Sequence, residues 1–153
     1  MMTLVLSLLN ACTVNTHKSN TYKKPSLIGS DLVCHNPERY AGRQIGDGHC
    51  VSLIRQCTNA PFTNQWRPGK KVLNATLPAG TVIATFEGQH YPSEHGYHAA
   101  IYIAQDSSGI WVWDQWRGTP VHQRLIKIRY DQADPGNTAQ AYRVVQLKQA
   151  GTP

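Results

Sequence analysis

The hydrophobic pattern changes period partway along the chain. Cys50, Leu53, Ile54 and Cys57 fall at i, i+3, i+4 and i+7, the apolar stripe of a helix. Gly46-Asp47-Gly48-His49 precedes them as a glycine turn, and Asp47 is placed to act as the N-cap through its carboxylate. The helix is expected to end near Asn59-Ala60-Pro61. Beyond Leu77-Pro78-Ala79-Gly80 the period becomes two, and residues 81–86, 98–104, 110–116, 121–130 and 141–148 read as five strands separated by turns. Residues 31–42 read as a short helix or turn broken at Asn36-Pro37, and residues 62–74, with Trp66-Arg67-Pro68-Gly69, as a loop. A helix followed by an antiparallel meander predicts an α+β fold, with the helix packed on a sheet of about five strands.

At 153 residues the chain holds one domain with a real core, assigned to residues 31–150. Residues 1–11 are apolar but too few to span a bilayer, and fit the core of a signal peptide. Leu9-Asn10-Ala11-Cys12 resembles a lipobox, which makes Cys12 a lipidation candidate and residues 1–12 an export segment. The departure is that no Lys or Arg precedes the apolar run. Residues 13–30, rich in Ser, Thr, Asn and Lys, read as a tether. Membrane association is expected only through such an anchor.

Fifteen Lys and Arg against nine Asp and Glu give a formal charge of +6. That balance suits an anionic partner such as a bacterial wall. Zinc-finger spacing, an RNA-recognition signature and a basic helix are all missing, so nucleic acid is not the expected partner. No CxxC pair occurs, which argues against a structural zinc ribbon. Cys50 and Cys57 would lie about 10 Å apart along a helix, too far for a disulfide. Cys34 with Cys57 is the pairing open to an exported protein, and it leaves Cys50 free.

The candidate chemistry is three residues far apart in sequence. Cys50 opens a helix, where unpaired N–H groups and the helix dipole favour a thiolate. His98 opens a strand, and Asp114 interrupts an apolar, aromatic one, where a buried charge needs a partner. A nucleophilic cysteine needs an imidazole oriented by a third polar group. Register decides whether Asp114 can reach His98. A tight turn on Ser107-Ser108 would pair Ile101 with Asp114 and put Asp114 on the face opposite His98. A longer loop centred on Asp106 would set His98 across from Asp114, and this second register is the expectation.

Gly48-His49-Cys50-Val51-Ser52-Leu53 resembles the cysteine motif of papain-like cell-wall amidases of the NlpC and CHAP types. The turn at residues 77–81, the strand from His98 to Ile103, and Val112-Trp113-Asp114-Gln115-Trp116 resemble the later motifs of that superfamily, in the same order. The likeness covers the middle 80 residues or so, from Gln44 to Arg124, and is shared with a little-studied family of small bacterial proteins. It implies a papain-like fold with Cys50 as nucleophile, His98 as general base and Asp114 as the orienting group. Gln44, with the Cys50 N–H, would supply the oxyanion donors. Amide bonds in peptidoglycan stem peptides would be cleaved through a thioester, without metal or organic cofactor, by a monomer in the periplasm or cell envelope. If the protein is instead a secreted effector, an immunity protein is the expected partner. The third position departs from relatives that carry His, Asn, Gln or Glu where this chain has Asp114.

Two other readings compete. His90, Glu94, His95 and His98 offer imidazole and carboxylate for a zinc hydrolase, although their spacing matches no metal motif. Tyr102, Trp111, Trp113 and Trp116 could form a non-catalytic face that binds glycan or peptide, or simply pack the core.

Overall fold

The alternating half of the chain folds as one antiparallel sheet in the computed structural model, which describes residues 32–130 and 134–148. The export segment, Cys12 and the tether all lie outside the described residues. The strands are β1 (Trp66–Lys71), β2 (Val82–Thr85), β3 (Ala99–Asp106), β4 (Gly109–Trp116), β5 (Thr119–Lys127) and β6 (Tyr142–Leu147). Their order in the sheet is β1-β6-β2-β3-β4-β5. The helix α1 spans Cys50–Thr58 and is closed by Asn59 in the left-handed conformation. The α+β expectation holds at this level.

Two details differ from expectation. The sheet has six strands rather than about five, because Trp66–Lys71 is a strand and not a loop. Pro68 and Gly69 suggest a turn, but β1 lies on the sheet edge, where a residue without an N–H is tolerated. Its pairing with β6 slips between Pro68 and Lys71. The meander is also incomplete. It holds from β2 to β5, while β6 returns across the sheet and inserts between β1 and β2. The break at Asn36-Pro37 becomes a short 3-10 turn at Pro37–Tyr40.

Each face of the sheet carries its own apolar layer. Val82, Ala84, Ala99, Ile101, Val121 and Val145 pack with Leu53 and Ile54 of α1 on one side. Ile83, Ala100, Tyr102, Ile110, Val112, Ile126, Tyr142 and Val144 form the other. Leu53 and Ile54 are both fully buried, each stabilising by about 1.5–3 kcal/mol relative to an exposed side chain. They anchor α1 against β3 and β4, which hold the other polar residues of interest. A disulfide joins Cys34 to Cys57, with Cα atoms 5.4 Å apart, and ties the segment before β1 to the last turn of α1. Cys50 is the free cysteine among the described residues.

Candidate active site

The turn before α1 places the sulfur. Gly48 has φ +81, a left-handed backbone that favours glycine, and a Cβ there would press on the Gln44 side chain at 3.0 Å. The N-cap is His49, with extended backbone angles, and not Asp47 as the sequence suggested. Asp47 lies two residues too early to cap. Its Oδ1 instead accepts the His49 N–H at 3.0 Å and the Ser52 hydroxyl at 2.6 Å, which braces the turn from outside. Cys50 is therefore the first residue of α1, at the positive end of the helix.

His98 stands immediately before β3. Its backbone N–H donates to Thr85 Oγ1 at 3.0 Å, and its carbonyl accepts the Thr85 N–H at 3.0 Å, so the residue is locked to the end of β2. Gly136 covers the other side closely, since a Cβ there would come within 2.9 Å of His98 Cβ.

The path by which Asp114 reaches His98 is not the expected one. Asp106 pairs with Gly109, so the β3–β4 turn is the tight one on Ser107-Ser108. That turn alone would put the two side chains on opposite faces. The register shifts by one between Tyr102 and Ala104, leaving Ile103 as a bulge, and beyond it Ile101 pairs with Trp113. Asp114 then falls opposite Ala100 and shares a face with His98, its diagonal neighbour.

Cys50, His98 and Asp114 come together in one row. The His98 Nε2 lies 2.9 Å from Asp114 Oδ2. The Cys50 thiol and the His98 ring are near enough for each to shift the other's protonation. Burial disfavours charge on every member, but their mutual contacts more than offset it. Burial alone would lower His98; the Asp114 hydrogen bond and the Cys50 thiolate raise it to about 9. Burial alone would raise Cys50; the His98 contact, with the Tyr91 hydroxyl and the Ala99 N–H, holds it below the ordinary thiol value. Asp114 is likewise held below the usual carboxylate value, against its burial, by His98 and Arg124.

Four residues near this row were not singled out as site residues in the sequence. Tyr91 OH lies 3.4 Å from Cys50 Sγ, and its ring is wedged edge-on against Trp66 and Phe86. Burial and the neighbouring thiolate raise its pKa, so it stays a neutral hydroxyl. Arg124 donates to Asp114 Oδ2 from Nε at 2.8 Å and from Nη2 at 2.6 Å. Asp114 Oδ1 is buried with no hydrogen bond among the described residues, and His122 Nε2 stands 3.9 Å from it. Gln115, fully buried, bonds the turn that carries Cys50. Arg124 and His122 carried one signal: they are two apart in a strand and so share a face. Tyr91 sits in a loop and carried none.

Gln44 is exposed, with its side-chain amide lying against Gly48. Of the zinc candidates, His90 pairs with Glu87 at 3.4 Å while His98 joins Asp114. Among the described residues, no three His, Cys, Asp or Glu side chains are gathered as a metal site. Trp111 and Trp116 are partly exposed, at 38% and 40%. Trp116 borders the groove of about 1040 Å³ onto which Cys50, Tyr91 and His98 open. Cys50, with its thiol value lowered, and His98, with its ring value raised, thus line one groove, and the Asp114 carboxylate anchors the ring. The arrangement is suited to attack on an acyl carbon.

The family described as domesticated amidase effector 2 matches residues 25–145. A type VI secretion amidase effector 2 protein of Salmonella typhi is 39% identical over 87 residues, covering 55% of this chain and 65% of that protein. The match thus spans just under two thirds of that relative. Domesticated amidase effector 2 of Ixodes scapularis is 37% identical over 121 residues, covering 72% of this chain and 78% of that one. A solved structure of type 6 secretion amidase effector 2 superposes with a TM-score of 0.71 at 31% identity, covering 79% of this chain and 98% of the other.

Proposed function

The chain belongs to the domesticated amidase effector 2 family, and on that footing we propose that it is a papain-like cysteine amidase that hydrolyses amide bonds in peptidoglycan stem peptides. The observation that carries this reading is Cys50 and His98 lining one groove and shifting each other's protonation, with His98 hydrogen-bonded to the buried Asp114. The relatives' names, amidase effector, support the reaction class.

In this mechanism the pair rests as Cys50 thiolate and His98 imidazolium. The sulfur attacks the amide carbonyl and its charge passes to the carbonyl oxygen. That oxyanion is met by the Cys50 N–H, which has no carbonyl one turn back to receive it, and by Gln44 as the side-chain donor. His98 gives its proton to the leaving amine as the C–N bond breaks. Water gives a proton to His98 and adds to the thioester carbonyl; the C–S bond breaks, the acyl group leaves as a carboxylic acid, and the thiolate–imidazolium pair is restored. Asp114 keeps the imidazole turned toward sulfur and stabilises its charged form.

The relatives' secretion names favour a delivered effector that acts in the periplasm of a target cell, with an immunity protein as its natural antagonist. A housekeeping role at the envelope, anchored through Cys12, would use the same chemistry. The net charge of +6 would hold either form on an anionic wall. Mass spectrometry of purified peptidoglycan tests the reaction. The wild type should release fragments with a new amine and a new carboxyl, and Cys50→Ala should release none. Equal release by both proteins would rule out Cys50 as the nucleophile, and release by neither would leave the non-catalytic wall-binding reading.

A further inference from the structure

Asp114 and Gln115 are neighbours in β4, and both are fully buried. Asp114 serves the imidazole. Gln115, on the α1 side of the sheet, serves the turn that delivers the sulfur. Its Oε1 accepts the Ile45 N–H at 2.9 Å, and its Nε2 donates to Ile45 O at 2.9 Å and to His49 O at 2.8 Å. Two carbonyls on one side and an N–H on the other dictate which way the amide points. The side chain thus closes both ends of the five-residue turn, Ile45 to His49, that leads into Cys50, across 70 and 66 residues of chain.

The bond to His49 O bears on the chemistry. The His49–Cys50 peptide is planar and trans, so its C=O and N–H point in opposite directions. Drawing the oxygen inward to Gln115 turns the Cys50 N–H outward, toward the groove that Cys50 lines. Ser52 N–H also reaches His49 O, at 3.0 Å, but it belongs to the same helix and moves with it. Among the described residues, Gln115 is the side chain that ties this peptide to the sheet that holds His98 and Asp114. A primary amide is costly on a face otherwise built of Leu53, Ile101 and Val121, and here its polar bonds all go to this turn.

We propose that Gln115 is a positioning residue for amide hydrolysis, fixing the His49–Cys50 peptide so that the Cys50 N–H is aimed at the developing oxyanion. This rests on the cysteine-amidase reading, and the test separates the two. Alkylation of Cys50 by iodoacetamide needs a thiolate but no oxyanion donor, whereas amide hydrolysis needs both.

In Gln115→Met, which keeps length and removes the hydrogen bonds, kcat on solubilised peptidoglycan should fall about 30- to 100-fold. KM should stay within about 2-fold, and the alkylation rate within about 3-fold, because thiol ionisation is set by His98. Gln115→Glu, which keeps the acceptor but loses the donors at neutral pH, should behave alike and serves if the Met variant does not fold. An unchanged kcat, or an equal loss of alkylation and hydrolysis, would overturn the proposal. Full activity in alkylated wild-type protein would instead overturn the nucleophile itself, and this inference with it.

Discussion

Arg124 grips Asp114 by the same oxygen that holds His98. Two guanidinium N–H groups and one imidazole N–H converge on Oδ2, at 2.8, 2.6 and 2.9 Å. The carboxylate is fully buried while Arg124 reaches the groove, its guanidinium 5.4 Å from the Trp116 ring. Arg124 therefore keeps Asp114 charged and fixed, and leaves the imidazole one oxygen to follow.

Removing Arg124 should strand a buried charge. Arg124→Leu is expected to lower stability by about 3 kcal/mol in urea unfolding, the usual scale for breaking a buried pair from one side. Arg124→Lys should recover part of that loss and not all, since an ammonium lacks the rigid planar fork that brings two N–H groups to Oδ2. Equal stability of the Leu variant and the wild type would show that the pair contributes nothing.

The pH dependence follows from the directions of the shifts. Cys50 is lowered and His98 is raised to about 9, so the thiolate–imidazolium pair exists between those two values. The profile of kcat/KM should rise as Cys50 ionises, below the ordinary thiol range, and fall as His98 loses its proton near pH 9. For stability, the folded His98 value lies above its unfolded value of about 6.5, so its contribution is full below about pH 6.5 and is lost as pH rises through about 9. Asp114 runs the other way. Its lowered value contributes above the ordinary carboxylate range and is lost as pH falls through the folded value. An alkaline limb at the ordinary histidine value would contradict this pairing.

Tyr91→Phe tests the hydroxyl beside the sulfur. The phenol oxygen lies 3.4 Å from Cys50 Sγ and is one of the groups that lower the thiol. Its removal should raise the Cys50 pKa, read as an alkaline shift of the iodoacetamide rate profile. The ring contacts with Trp66 and Phe86 remain, so stability should change by less than about 1.5 kcal/mol. An unmoved profile would mean that the hydroxyl does not act on the thiolate.

Much of this site was legible because it sits on regular elements. The helix stripe from Cys50 to Cys57 and the polar Asp114 in an apolar strand both mark their positions by period. The link between Asp114 and His98 was read through the wrong turn. Periodicity carries no mark of a single bulged residue, and the slip at Ile103 cancels the face change that the Ser107-Ser108 turn imposes. Edge strand β1 was hidden by Pro68 and Gly69, whose tolerance depends on having no neighbour on one side. Tyr91 and Gln115 act through contacts 41 and 66 residues away, which no local pattern encodes.

The most direct measurement is acid-quench mass spectrometry of the intact protein during turnover on soluble peptidoglycan fragments. The account predicts a transient adduct with the mass of the substrate's acyl portion, mapping to the peptide that contains Cys50, and absent from Cys50→Ala. Turnover by the Cys50→Ala protein, or an adduct confined to another residue, would contradict it.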